Sequence, residues 1–167
     1  LGHVEEGYEP IVFRNGTFAI KQAGFSSHPV VRVTARGAVA YATAHGRRLP
    51  TAPEWLRAAN DGRWAAINAT KTPGTTRGAG GRQIHVSPQP VTTAPSNGFG
   101  VKGLGTNVAE WVQGAANGAA EPDYYILGGL AGRPVERAGE SMPIRREPWE
   151  ALGTVGFRTA LSAGQSD

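Results

Sequence analysis

Apolar positions along this chain come in short runs separated by turn chemistry, and the spacing within each run predicts its element. Val12 and Phe13 precede Asn15-Gly16, and Phe18 and Ile20 follow it, which predicts a β-hairpin because Asn-Gly suits the tight turn that matches strand twist. Glu5, Glu6 and Glu9 ahead of it read as a solvated face. The run from His28 to Thr34 carries three valines and predicts a short strand. Thr34 then suits a helix N-cap, Ala38, Val39, Tyr41 and Ala42 lie on one helical face, and Gly46 supplies a left-handed stop. A second helix is spelled out in side chains. The Thr51 hydroxyl can accept from the Glu54 N–H, and the Glu54 carboxylate can accept in return from the Thr51 N–H. Pro53 fits the first turn, and Trp55, Leu56 and Ala59 share a face that ends near Asn60-Asp61-Gly62.

Beyond this point the pattern loosens. Thr70 to Gly81 holds Pro73, Gly74, Gly78, Gly80 and Gly81, which predicts a long loop. Ser96 to Val112 reads as a glycine-rich turn and then a strand. Further strands are expected at Tyr125–Gly129 and Thr154–Leu161.

Composition narrows the class. The chain has 167 residues, 40% of them apolar, with four Trp and five Phe, enough for one packed core. Gly at 24 and Pro at 12 make that domain rich in loops, and only 18% of residues are charged. No run approaches the ~20 apolar residues of a membrane span, so no membrane partner is expected. The formal charge of +4 comes almost entirely from scattered Arg, with doublets only at Arg47-Arg48 and Arg145-Arg146. A nucleic-acid face would show a denser basic stripe with interleaved aromatics, so carboxylate or protein contacts are the better match. The start at Leu1 suits a processed or excised part of a larger protein, read here as a single domain over 1–167; nothing at that start reads as a signal peptide, and the compartment is left open.

The segment Arg47-Arg48-Leu49-Pro50-Thr51 running to Asn60 does not stand alone. Ser96-Asn97-Gly98-Phe99-Gly100 leading into Asn107-Val108-Ala109-Glu110-Trp111-Val112 follows it. Gly128-Gly129 and then Gly156-Phe157-Arg158 come next in the same order. Together these resemble the sulfatase-modifying-factor family, which includes the formylglycine-generating enzyme and the C-terminal half of ergothioneine-pathway sulfoxide synthases. The resemblance implies an α+β chain with a modified C-type-lectin-like fold, built from a small mixed sheet, two helices and much coil.

It also frames what the chain lacks. The formylglycine-generating enzyme uses paired cysteines that bind copper between its Gly-Gly strand and its Gly-Phe-Arg strand. This chain has no cysteine, and Ser141 cannot replace a thiolate because its hydroxyl stays protonated near neutral pH. Formylglycine generation is therefore excluded, and no catalytic residue is assigned. His3, His28, His45 and His85 are widely spaced and form no metal-binding pair. Family members often bind calcium around the Glu-Trp turn. Here Glu110 and the carbonyls of Thr106 and Val108 make a weak candidate, since Gly103 occupies the position of a side-chain ligand and no other acid lies between Asp61 and Glu110. The alternative for Glu110 is an ion pair with an Arg. The same resemblance makes Arg158 a structural ion-pair residue with Glu110 or Glu54 and puts Phe157 in the core. No other cofactor is expected.

In lectin-like folds the region from Arg133 to Glu150 forms the ligand face. Here it concentrates Arg133, Glu136, Arg137, Arg145, Arg146 and Trp149, residue types suited to binding hot spots. The expected function is thus non-catalytic recognition of a protein or peptide partner, with this segment and Thr70–Gly81 as the binding loops. Domains of this sort often sit inside larger bacterial proteins, beside kinases, proteases or defence modules. The alternative is the C-terminal half of a sulfoxide-synthase-like non-haem iron enzyme whose ligands lie on another domain, suggested by Gly7-Tyr8-Glu9-Pro10 and His28-Pro29-Val30.

Overall fold

The computed structural model describes residues 10–61, 88–105, 107–114, 121–128, 144–162 and 164. The hairpin forms as β1 (Ile11–Arg14) and β2 (Thr17–Ile20), with Asn15 and Gly16 both at positive φ, 52° and 78°. A short 3-10 turn, Ala23–Ser27, follows. Helix α1 spans Ala35–Ala44. Thr34 caps it by accepting from the Gly37 N–H at 3.0 Å. Its end is closed by Gly46 at φ 66°, with the Gly46 N–H donating to Thr43 and the Arg47 N–H to Ala42, which satisfies carbonyls that would otherwise be orphaned.

Helix α2 spans Ala52–Asp61 and carries the reciprocal cap expected of it. The Thr51 N–H donates to Glu54 Oε2 at 2.8 Å and the Glu54 N–H to Thr51 Oγ1 at 3.4 Å. The Arg48 guanidinium spans both Glu54 oxygens at 2.7 Å. The intervening turn is tied to the sheet, since the Gln113 N–H donates to Pro50 O and Arg48 exchanges two backbone bonds with Ala160.

The main sheet has four strands: β3 (Ala109–Gln113), β4 (Tyr124–Leu127), β5 (Ile144–Arg146) and β6 (Val155–Phe157), in the order β5-β4-β3-β6. It is mixed, because β3 pairs antiparallel with β4 and parallel with β6, while β5 pairs antiparallel with β4. Strand β3 is central and buried along Ala109–Val112, and its alternation divides the core. Ala109 and Trp111 join Ala35, Ala38 and Leu49 of the α1 side. Val112 joins Ala52, Trp55 and Ala59 of α2, together with Leu104 and Leu127. The Trp111 indole donates to Val33 O at 2.7 Å, so the polar end of this buried ring is satisfied.

Several expectations need correction. His28–Thr34 is not a strand: Arg32 takes φ 61°, which breaks an extended run. The last strand is limited to Val155–Phe157. Tyr41 lies on the exposed side of α1, and the buried face is Ala35, Ala38 and Ala42. Phe157 is only partly buried, packed edge-on to Tyr41. Residues 144–146, expected in a binding loop, form the edge strand β5. Gly156 has a steric reason, since a Cβ there would meet Val30 O at 2.6 Å. The loop at Thr70–Gly81 lies outside the described residues.

Candidate functional site

Two constellations gather the charged and aromatic residues singled out above. The first is buried. The Glu110 Oε2 accepts from Trp55 Nε1 and from Arg158 Nε, and its Oε1 accepts from Arg158 Nη2, all at 2.6 Å. The pairing of β3 with β6 sets Glu110 opposite Gly156, and two residues further on Arg158 reaches back across. Burial works against the Arg158 charge, and the facing carboxylate more than offsets it, holding the guanidinium above its ordinary pKa. Arg158 also donates to Lys102 O at 3.4 Å, and Gly128, at φ 88°, lets the chain pass close to Trp55. Of the two partners expected for Arg158, the structure selects Glu110, while Glu54 belongs to Arg48. Of the calcium candidates, Val108 is buried, Thr106 lies outside the described residues, and the Glu110 carboxylate faces three donors. Among the described residues, no group of three or more His, Asp or Glu side chains is placed to hold a metal ion.

The second constellation is at the surface, where β5 pairs with β4 and the turn after β5 meets the start of α1. Arg145 donates to Asp123 at 2.9 Å and lies 3.8 Å from Glu147. Arg146 lies 3.8 Å from Glu150 and is half-buried, its Nε enclosed without a hydrogen-bond partner. Trp149 is 62% exposed, with the Arg36 guanidinium 6.0 Å from its ring centre. Arg36 in turn makes a two-pronged contact with Glu121 at 3.0 and 3.2 Å. The strand, rather than a free loop, thus fixes Arg145 and Arg146, and acids from neighbouring elements already meet their charges. Arg133, Glu136 and Arg137 lie outside the described residues. Sequence reasoning missed Arg36, Glu121 and Asp123. Arg36 and Glu121 are 85 positions apart, and only the fold brings them together.

The paired helices, the mixed sheet and the Trp55–Glu110–Arg158 centre define a domain of the formylglycine-generating-enzyme type. Residues 6–163 match the sequence profile described as the sulfatase-modifying factor enzyme 1-like domain, and the chain belongs to that family. It is 40% identical over 99 residues to a formylglycine-generating enzyme of Mycobacterium tuberculosis, an overlap that covers 52% of this chain and 33% of that enzyme. It is also 33% identical over 173 aligned positions to the serine/threonine-protein kinase pkn1 of Chlamydia caviae, covering 88% of this chain and 26% of the kinase. The chain therefore spans a third or less of the length of these relatives. Among solved structures it resembles PvdO from Pseudomonas aeruginosa, with a TM-score of 0.60 at 24% identity over 89% of this chain and 69% of that one. It also resembles CarF, with a TM-score of 0.59 at 22% identity over 84% and 70%. These two establish the fold.

Proposed function

We propose that this domain is a non-catalytic recognition module that binds a protein or peptide partner through the surface around β5 and Trp149. The carrying observation is how the charged residues are used. Glu110 is buried and engages both Arg158 and the Trp55 indole, while the exposed Trp149 indole stands in the turn that follows β5, against the Arg36 guanidinium. An aromatic anchor held in place costs little entropy on binding, which suits a hot spot. The chain has no cysteine to supply the thiolates of formylglycine generation. The match to about a quarter of a much longer kinase supports a module that works inside larger proteins.

The test is capture of partners by the wild-type domain and by Trp149→Ala, compared side by side. A partner retained by the wild type and lost by the variant supports the reading, and equal retention removes Trp149 from the site. The competing reading is half of a sulfoxide-synthase-like iron enzyme. Stoichiometric iron in the purified chain would favour it and overturn recognition alone.

A further inference from the structure

The sequence holds three Asn-Gly pairs, Asn15-Gly16, Asn97-Gly98 and Asn117-Gly118, and the last lies outside the described residues. The other two sit in opposite surroundings. Asn97 is buried, and both ends of its side-chain amide are engaged. Its Nδ2 donates to Ala58 O at 2.8 Å, and its Oδ1 accepts from the Phe99 and Val101 N–H groups at 3.0 Å each. Asn15 stands at the exposed tip of the β1–β2 hairpin, and among the described residues its side chain has no hydrogen-bond partner. Gly16 beside it has open space where a Cβ would lie.

The hairpin itself is lightly held. It is a separate sheet of two four-residue strands, and no residue of either strand is buried. A ribbon of this kind draws little stability from packing, so it belongs with the elements that open most readily.

We propose that Asn15 is a site of spontaneous covalent conversion to aspartate and isoaspartate, and that the conversion irreversibly releases the hairpin turn. The Gly16 main-chain nitrogen loses its proton to base and attacks Asn15 Cγ. The bond from Cγ to Nδ2 breaks, the nitrogen takes a proton from solvent and leaves as ammonia, and a five-membered succinimide closes. Water then opens the ring at either of its two carbonyls, giving aspartate or isoaspartate. Nothing is oxidised or reduced, and water is the only co-reactant. Glycine leaves the attacking nitrogen unshielded, because it carries no side chain. Ring closure needs the peptide group after the asparagine to rotate toward the side chain. The hairpin permits that rotation each time its turn opens, whereas Asn97 must first give up three hydrogen bonds and leave its buried position.

The two products differ in consequence. Aspartate tolerates the left-handed conformation that Asn15 holds at φ 52°. Isoaspartate routes the main chain through the side-chain carbon and adds a methylene that a two-residue turn does not accommodate. The isoaspartate form therefore loses the register that sets Phe13 against Phe18, whose ring centroids are 4.8 Å apart.

The experiment is incubation of the full chain at mildly alkaline pH, with and without urea, followed by peptide mapping with mass detection. In the folded chain Asn15 should convert at least about tenfold faster than Asn97, the ratio that ~1.4 kcal/mol of added opening cost produces. In urea the two rates should converge, because both sites have the same local chemistry. No conversion at Asn15 in the folded chain, or equal rates at the two sites there, overturns the proposal. Mildly acidic pH should slow the Asn15 reaction, since the attacking nitrogen must lose its proton, and a rate that does not fall overturns the ring-closure route. Magnetic-resonance contacts between the Phe13 and Phe18 rings should vanish in the isolated isoaspartate form and persist in Asn15→Asp. Contacts that persist in both overturn the release of the turn.

Discussion

Arg158 holds both oxygens of Glu110, Nε to Oε2 and Nη2 to Oε1, each at 2.6 Å. A planar guanidinium facing a carboxylate this way makes two parallel charge-assisted bonds, so the pair fixes direction as well as distance. It joins the central strand to the stretch following β6, and the Trp55 indole joins α2 to the same carboxylate.

Removing one partner leaves the other buried and uncompensated. Glu110→Gln should lower stability by about 2–3 kcal/mol, less than for a fully buried pair because 28% of the Arg158 side chain reaches solvent. Glu110→Gln with Arg158→Met should cost less than the sum of the single changes. Urea titration of the four proteins checks this, and strict additivity would show that the two groups do not interact.

Trp55 contributes both volume and a hydrogen bond. Trp55→Ala should cost roughly 3–5 kcal/mol through the cavity it leaves in the α2 side of the core. Trp55→Phe should cost less, about 1.5–3 kcal/mol, chiefly from the lost bond to a charged acceptor. A Phe variant as stable as the wild type would mean that the indole bond adds nothing.

The Arg48 guanidinium beside Glu54 holds that carboxyl at about 2, below its ordinary value of 4.5. A depressed carboxyl pKa stabilises the fold above the unfolded value and loses that effect as pH falls through the folded one. Glu54→Gln keeps the capping bond and removes the charge. The melting-temperature gap between wild type and variant should therefore be constant down to about pH 4.5 and close as pH approaches about 2. The pair is half-exposed, so the gap should be small and should shrink in salt. A gap that persists unchanged at pH 2 would contradict the assignment.

Calcium should leave the melting temperature unchanged at Glu110, because binding there would require breaking three short bonds to Trp55 and Arg158. Calorimetry with calcium and with chelator decides it, and an upward shift with calcium would restore Glu110 as a ligand.

At the surface, Trp149→Ala should change stability by under about 0.5 kcal/mol while weakening partner binding. Arg146→Ala is the poorer probe, since that side chain is half-buried and its loss would disturb β5. Unfolding of the Trp149 variant would identify Trp149 as part of the scaffold.

Much of the scaffold was legible in local chemistry. Thr34, Gly46, the Thr51–Glu54 box and Asn15-Gly16 each act within a few residues of themselves, so spacing alone specifies what they do. Family order then gave Arg158 an ion pair with Glu110 or Glu54, and the fold selects Glu110. The expectations that failed depend on partners remote in sequence. His28–Thr34 reads as a strand by composition, yet Arg32 adopts a positive φ, with its N–H bonded to Leu152 O. Residues 144–146 read as a loop because no periodicity marks a three-residue strand whose one neighbour is β4. The arginines of that stretch read as free binding groups. Tertiary structure set Asp123 beside Arg145 and Arg36 beside Trp149, whereas Glu147 and Glu150 are near neighbours of Arg145 and Arg146 in the chain. Sequence by itself determined the helix caps, the turns, the family and the lack of thiol chemistry, because these depend on residue type and short spacing. Only the tertiary structure decided which charges are already neutralised and which aromatic faces stay open, because both depend on contacts between segments tens of residues apart.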